Sequence, residues 1–155
     1  MSVTLRAMDA AEAEAFLARS RAVFVDELAQ SASLDPEQAE ARARELQAEF
    51  LPQGTSTAGH AFLAILDDGR PVGSLWLGPQ DRRPETGFIY DIIVDEAERN
   101  RGVGRAALAA AEDWARGAGY RALALNVLGS NPDAQRLYAS VGYQVVATDM
   151  LKPLD

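Results

Sequence analysis

One stretch of this sequence, residues 88–114, limits most strongly what the chain can fold into. An apolar run, FIYDIIV, leads into a short charged segment that contains Gly102 and Gly104, and an alanine-rich run follows. This order predicts a central strand from about Glu85 to Val94, a glycine turn, and a helix that packs on a sheet. Glycine lets a ligand approach the backbone closely, and the first amides of a helix lack an acceptor within it. The stretch therefore predicts a phosphate site at a helix start.

Two phosphate loops of other protein classes fit this stretch less well. A nucleotide-triphosphatase loop requires Lys followed by Ser or Thr, whereas Gly104 is followed by arginine and two alanines. The segment from Gly102 to Ala107 does match the dinucleotide fingerprint G-x-G-x-x-A. In that fold, however, the first glycine directly follows the strand, and a ribose-binding acid lies about 20 residues further on. Here seven residues separate Val94 from Gly102, and the next predicted strand, 122–127, has no acid.

A third interpretation rests on resemblance to a known family. The pattern Arg99-x-x-Gly102-x-Gly104 after a hydrophobic strand resembles the acyl-CoA loop of the GNAT family of N-acetyltransferases. Downstream, residues 131–138 (NPDAQRLY) and the Gly-Tyr pair at 142–143 resemble the second signature of that family, Asn-x-x-Ala-x-x-Leu-Tyr followed by Gly-Phe or Gly-Tyr. The two signatures stand in the expected order, about 27 residues apart, and together they form a strong signal.

The residue pattern along the chain predicts an α/β domain with a mixed sheet of six or seven strands and about four helices. The resemblance implies that this is one N-acetyltransferase domain over residues 1–155, with a mostly antiparallel sheet. It also implies that two adjacent parallel strands, Phe88 to Val94 and Ala122 to Val127, splay apart so that the cofactor lies between them. Residue patterns along the rest of the chain predict a strand at 3–8, helices from Ala10 and from Pro36, a hairpin around 67–71, a short helix after Asn131 and a final strand at 143–152.

The composition indicates the domain number, the cellular location and the kind of partner to expect. The 155 residues are enough for one domain, and they include no cysteine and carry a formal net charge of -8. No apolar run approaches the ~20 residues that cross a bilayer, so we expect no membrane contact. The absence of cysteine permits the cytoplasmic location that we expect. The acidic balance disfavours nucleic acid, whose phosphates bind mainly Lys and Arg. It favours a cationic partner, with solubility as the alternative reason for the charge. Nothing in the sequence decides between a monomer and a homodimer.

The predicted site for the acyl donor, acetyl-CoA, combines a loop and a strand end. The main-chain amides from Arg101 to Arg105 would bind the pyrophosphate. The resemblance implies that main-chain groups at the end of the central strand hold the pantetheine arm and polarise the thioester carbonyl, and that Asn131 bonds the same arm. The predicted donor-binding residues are Ile92, Ile93, Val94, Arg99, Asn100, Arg101, Gly102, Val103, Gly104, Arg105, Asn131 and Tyr138. No metal is expected.

The resemblance assigns Tyr138 as the acid that protonates the departing thiolate, a role that suits a phenol with a pKa near 10. The general base that takes a proton from the amine is harder to assign, because the positions where relatives carry glutamate hold no acid in this sequence. Asp91 is one candidate, as a base or an amine-binding group, since a carboxylate in an apolar strand must find a partner or change its pKa. A structural aspartate bonded to nearby backbone is the alternative. Glu85 and Tyr90 are reserves, acting directly or through water, and His60 is expected to be structural.

These residues lead to one main hypothesis about function. We expect direct acetyl transfer from the thioester to a primary amine of a small molecule or peptide, without an acyl-enzyme, because there is no cysteine to carry the acyl group. The alternative is a non-catalytic acyl-CoA-binding or sensing module that has kept the loop and lost the base. A nicotinamide-binding domain is disfavoured by the missing ribose acid.

Overall fold

The structure, a computed structural model, describes residues 1–154. Two short 3-10 turns occur at Gly54–Ser56 and Glu96–Glu98. The helices and strands, in chain order, are β1 (Val3–Ala7), α1 (Ala10–Ser31), α2 (Pro36–Phe50), β2 (Ala61–Asp67), β3 (Arg70–Pro79), β4 (Thr86–Val94), α3 (Val103–Gly117), β5 (Ala122–Leu125) and α4 (Pro132–Ser140).

Local sequence signals account for where the helices begin. Asp9 caps α1 by accepting a bond from the amide of Glu12, and Asn131 caps α4 in the same way. Asp35 caps α2 and forms a reciprocal capping box with Gln38. These three predicted helix starts are confirmed, and so is the fourth, because α3 begins at Val103 directly after the glycine turn. None of the helices found in residues 1–154 combines the length and the apolar character needed to cross a bilayer.

The strands form a single sheet in the order β1-β2-β3-β4-β5, in which only the β4–β5 pair is parallel. The predicted hairpin between β2 and β3 is confirmed. Its turn residues, Asp68 and Gly69, have φ angles of 49° and 81°, which suits the right-handed twist of a two-residue hairpin. The prediction of six or seven strands was wrong, because the described residues form five.

The parallel pair at the centre of the sheet separates part-way along. Pairing between β4 and β5 ends at Ile89 opposite Leu125, while β4 continues to Val94 with β3 as its only neighbouring strand among residues 1–154. A β-bulge lies at the same level, since Trp76 pairs with Asp91 and the next pair is Leu77 with Ile89. A bulge bends its strand and increases the local twist, so it accounts for the divergence of β4 from β5.

Two apolar clusters hold the helices on opposite faces of the sheet. On one face the apolar stripe of α3, including Ala107, Leu108 and Ala111, packs against strand residues such as Leu75 and Leu77. On the other face α1 packs its own apolar side chains, Ala13, Phe16 and Leu17, together with Leu51, on Phe62 and Trp76. The open half of β4 therefore has helical layers on both sides.

The C-terminal segment differs from the prediction. Residues 143–152 were expected to form a strand, and the structure shows no strand there. Val145, Val146, Met150 and Leu151 are exposed instead. Strand-forming residues become a strand only where a neighbour offers hydrogen bonds, and in one copy of the chain this segment has no such neighbour.

Candidate active site

The start of α3 presents main-chain amides without protein partners. Gly102 precedes the helix with a φ of 83°, a left-handed conformation that favours glycine. The amide of Ala106 donates to the carbonyl of Gly102 over 3.1 Å. In contrast, the amides of Val103, Gly104 and Arg105 meet no acceptor in hydrogen-bond geometry among residues 1–154. Amides in this position, at the positive end of a helix, can bind an anion.

Gly104 also allows α4 to approach this helix start. A Cβ atom at position 104 would lie 3.2 Å from Cδ2 of Leu137 and 4.0 Å from Cγ2 of Val94. The first distance is closer than an ordinary carbon contact, so a larger residue would displace the α4 side chain. The absence of a side chain at 104 therefore lets the end of β4, the start of α3 and the α4 residue next to Tyr138 meet in one place.

The three arginines around the glycines have three different partners. Arg99 donates from Nε to the carbonyl of Val94 over 3.0 Å, and Arg105 donates from Nη2 to Oγ of Ser140 over 2.8 Å. Arg101 forms an ion pair with Glu98, which lies in the turn before the loop. The arginines thus tie the loop to β4, to α4 and to the preceding turn.

Glu98 is a residue of the loop region that the sequence argument missed. Its side chain is only 10% exposed, and it bonds both to Arg101 and to Arg70 of the β2–β3 hairpin, the latter over 2.8 Å. The bond from Arg70, together with the charges of both guanidiniums, holds the pKa of Glu98 below its usual value against the opposing effect of desolvation. Glu98 therefore neutralises part of the positive charge predicted for this loop.

The predicted pantetheine-binding residues lie on the open half of β4. Ile92, Ile93 and Val94 pair with β3 on one side and face no strand on the other. Hydrogen-bonding groups of a strand alternate between its two edges, so some of this main chain is directed into the gap left by β5. The carbonyl of Val94 is already the acceptor for Arg99.

Asp91 lies on β4, opposite α1, and its carboxylate has a partner there. Ser20 donates from Oγ to Oδ2 of Asp91 over 2.6 Å, and Ser20 is itself buried. Burial raises the pKa of Asp91, while the hydroxyl of Ser20 and the amide of Ile92 oppose that increase. Ser20 was missed because a serine in the apolar stripe of a helix carries no functional signal by itself.

A second carboxylate, Glu27, comes from the same helix. Burial and the charge of Asp91 both raise the pKa of Glu27, so the two acids influence each other. Glu27 follows Ser20 by two helical turns, and both side chains therefore point to the same face of α1. That spacing of two polar residues was the signal that could have revealed Glu27.

Tyr138 belongs to the same neighbourhood. Burial raises the pKa of Tyr138, and the charge of Asp91 raises it further. Its ring packs edge-on against that of Tyr143, with 5.8 Å between the ring centres. Asn131 caps α4 by accepting the amide of Ala134 over 3.2 Å through Oδ1. The phenol is therefore protonated at neutral pH, and it lies within electrostatic range of the half-buried Asp91.

Two predicted reserves, Glu85 and Tyr90, are not brought into this group. Tyr90 stacks on Trp76 at 4.6 Å and donates its hydroxyl to the carbonyl of Pro79 over 2.5 Å. Burial raises the pKa of Tyr90 to about 12, so the phenol stays protonated at neutral pH and is not available to accept a proton. Glu85 precedes β4, about 20 Å along the strand from Asp91. It is exposed, and its Oε2 lies 3.7 Å from Nε of Arg121.

His60 has the structural surroundings expected of it. Its Nδ1 accepts a hydrogen bond from Nε1 of Trp76 over 3.0 Å, and burial lowers its pKa. Within residues 1–154, no three His, Cys, Asp or Glu side chains converge as metal ligands would.

Comparison with known proteins identifies the family. A sequence model described as the acetyltransferase (GNAT) family matches residues 24–143. The chain belongs to the GNAT family. The uncharacterized N-acetyltransferase YycN of Bacillus subtilis strain 168 is 30% identical to this GNAT chain over 156 aligned residues, which cover 99% of the chain and 100% of YycN.

Solved structures agree with this assignment. The crystal structure of the putative acetyltransferase YycN from Bacillus subtilis superimposes on this GNAT chain with a TM-score of 0.90, at 30% identity and 99% coverage of both chains. A structure of the aminoglycoside N-acetyltransferase AAC(6')-Iy in complex with CoA shares the fold, with a TM-score of 0.59 at 18% identity, covering 99% of this chain and 95% of that one. The prediction of a GNAT acyltransferase is thus confirmed.

Proposed function

We propose that the chain acts as a single N-acetyltransferase domain that moves the acetyl group of acetyl-CoA directly to a primary amine of a cationic small molecule or peptide. The observation that carries the proposal is the set of unpartnered amides at the start of α3, held next to the end of β4 and to α4. The structure of AAC(6')-Iy in complex with CoA, a protein of the same fold, supports the proposal. The cysteine-free sequence fits the cytoplasmic setting that the proposal assumes.

The donor would lie along the gap between β4 and β5. The amides of Val103, Gly104 and Arg105 would bind its pyrophosphate, with Arg101 and Asn100 at the edge of the loop. Charge-assisted bonds of this kind contribute about 1.5 to 3 kcal/mol each. The main chain of 92–94, on the open side of β4, would hold the pantetheine arm and aim the thioester carbonyl toward Asp91 and Tyr138.

Two side chains would then accept and donate the protons that the acetyl transfer requires. The nitrogen of the acceptor forms a bond to the thioester carbon, and the carbon–sulfur bond breaks. Asp91 receives the proton that the amine loses, and Tyr138 supplies a proton to the departing sulfur. Both assignments agree with the pKa directions, since a raised carboxyl pKa makes a stronger base and a raised phenol pKa keeps the donor protonated.

The surroundings of Asp91 support a cationic acceptor. Glu27 adds a second carboxylate on the same side, and the formal net charge of the chain is -8. A protonated amine entering between α1 and β4 would relieve the repulsion between the two acids. An acceptor with a second positive charge would be favoured further, because Glu27 could hold that charge while Asp91 receives the proton from the reacting nitrogen.

Thiol release from acetyl-CoA tests the proposal. The panel consists of polyamines, aminoglycosides, amino acids and N-terminal peptides, each compared with a neutral amine of similar size. We expect turnover with cationic primary amines and a loss of that preference in Glu27→Gln. A preference for neutral or acidic acceptors would contradict the assignment of the acceptor. CoA binding by calorimetry without thiol release from any acceptor would favour the non-catalytic module instead.

A further inference from the structure

A buried carboxylate lies just before the loop that is proposed to bind the phosphates of the donor. The side chain of Glu98 is only 10% exposed, and each of its two oxygens is bonded to a different arginine. Oε1 accepts from Nη1 of Arg70 over 2.8 Å, and Oε2 accepts from Nη1 of Arg101. These three side chains form a charged triad that joins the β2–β3 hairpin to the loop.

Arg70 lies among acids from two neighbouring turns. The hydrogen bond and the charge of Glu98 raise the pKa of Arg70, and the charges of Asp67 and Asp95 raise it further. The amide of Asp95 donates to the carbonyl of Val72 over 2.9 Å, so the turn that carries Glu98 is fixed to the strand that carries Arg70. Arg70 therefore supplies positive charge to a group of three carboxylates at this end of the sheet.

Arg101 is the member of the triad that can turn to a bound anion. It directly precedes Gly102, and its side chain is 54% exposed. The other two arginines of the loop already donate to the carbonyl of Val94 and to the hydroxyl of Ser140. Pairing with a phosphate of the donor would draw Arg101 away from Glu98. A buried carboxylate that loses its partner is costly, so this movement requires a second cation on Glu98.

We infer that Arg70 is a positioning residue for the acyl donor. Its bond to Glu98 keeps that carboxylate paired while Arg101 turns to a phosphate of CoA. Without Arg70, the only charged partner left to Glu98 among residues 1–154 would be Arg101. The carboxylate would then hold Arg101 in place and repel the phosphates. The inference rests on the proposed function, because it assigns the triad to the donor side of that site.

Calorimetry with CoA tests the inference in a cycle of four proteins, namely wild type, Arg70→Gln, Glu98→Gln and the variant with both changes. Arg70→Gln should raise the Kd by roughly tenfold, the effect of losing one charged hydrogen bond. Glu98→Gln should bind CoA at least as tightly as the wild type, because no carboxylate then competes for Arg101. In the Glu98→Gln background, Arg70→Gln should have no further effect. An equal loss of affinity in both backgrounds would overturn the inference, since Arg70 would then act without Glu98.

Two further variants separate the position of the charge from its amount. Arg6→Gln removes one positive charge from another arginine–glutamate pair, in which Nη2 of Arg6 lies 3.0 Å from Oε2 of Glu12, and it should leave the Kd unchanged. Arg70→Lys should retain most of the affinity, because Arg70 makes a single hydrogen bond to Glu98 that an ammonium can replace. If Arg6→Gln or Arg70→Lys weakened binding as much as Arg70→Gln, the inference would be wrong.

Steady-state turnover distinguishes donor positioning from a general loss of structure. In Arg70→Gln, the fall in kcat/KM for acetyl-CoA should appear in KM, with little change in kcat at saturating donor. A fall in kcat at unchanged KM would contradict the role of Arg70. If the wild type itself did not bind CoA, the donor site of the proposed function would be refuted, and this inference with it. Equal CoA affinity of wild type and Arg70→Gln would refute only the inference.

Discussion

Replacing Ser20 with alanine should change the pH dependence of catalysis without touching the acetyl donor. The Ser20 hydroxyl donates to the Asp91 carboxylate over 2.6 Å and so opposes the effect of burial on the Asp91 pKa. A hydrogen bond to a charged group contributes about 1.5 to 3 kcal/mol. Since one pH unit corresponds to about 1.36 kcal/mol, the acidic limb of the rate profile should move by about 1 to 2 units toward higher pH in Ser20→Ala.

The assay is thiol release at saturating acetyl-CoA, measured across the acidic and neutral range with one amine for all variants, so that the ionisation of the amine cancels in the comparison. Asp91→Asn should lose the limb altogether. Ser31→Ala is the matched control, because that hydroxyl also belongs to α1 but donates only to the main-chain carbonyl of Glu27. A limb that stays in place in Ser20→Ala, or that survives in Asp91→Asn, would refute Asp91 as the base.

The same carboxylate makes a prediction about stability. Burial raises the Asp91 pKa above its value of about 3.9 in an unfolded chain, so the folded state loses stability as pH rises from that value through the folded pKa. Asp91→Asn removes this cost and can still accept the Ser20 hydroxyl through its amide oxygen. The variant should therefore unfold at a temperature equal to or above that of the wild type at pH 7, although it is less active. A clearly lower unfolding temperature would indicate a structural aspartate.

Three further substitutions test the loop, the acid and the ion pairs. Gly104→Val should weaken CoA binding by at least about tenfold in calorimetry. Gly117→Ala is the control and should preserve CoA binding, because a Cβ at position 117 meets nothing within 4 Å. Equal CoA affinities of the two variants would remove the loop assignment. Tyr138→Phe should lower kcat by about 100-fold or more at unchanged CoA affinity, and unchanged turnover would leave the tyrosine a packing role. Because Glu98 has a lowered pKa, its stabilising effect is present above its unfolded pKa and is lost as pH falls. The unfolding temperatures of wild type and Glu98→Gln should therefore converge in acid.

Features set by neighbouring residues were predictable. The start of α3 follows from Gly102, Gly104 and the apolar stripe behind them, because turn geometry and helix amides depend only on adjacent residues. The same holds for the capping residues Asp9, Asp35 and Asn131. The family signatures lie in these local segments, and the family assignment could therefore be made before the fold was seen.

Contacts between distant segments were not predictable in the same way. Ser20 and Asp91 are 71 positions apart, and Arg70 and Glu98 are 28 apart. Neither pair follows a repeating pattern, because each depends on how two elements pack. The bulge opposite Trp76 shows the same limit: it places Tyr90 among aromatic side chains, with its hydroxyl on Pro79.

The sequence by itself determined the order of the elements, the glycine turn at the start of α3 and the family, since each depends on residues close together in the chain. The tertiary structure alone decided which hydroxyl contacts Asp91, where the parallel strands part, and that the described residues form a sheet of five strands. The C-terminal segment shows why tertiary structure is needed. Residues 143–152 have the composition of a strand, but a strand exists only where another edge supplies its hydrogen bonds, and the sequence of one segment does not specify that edge.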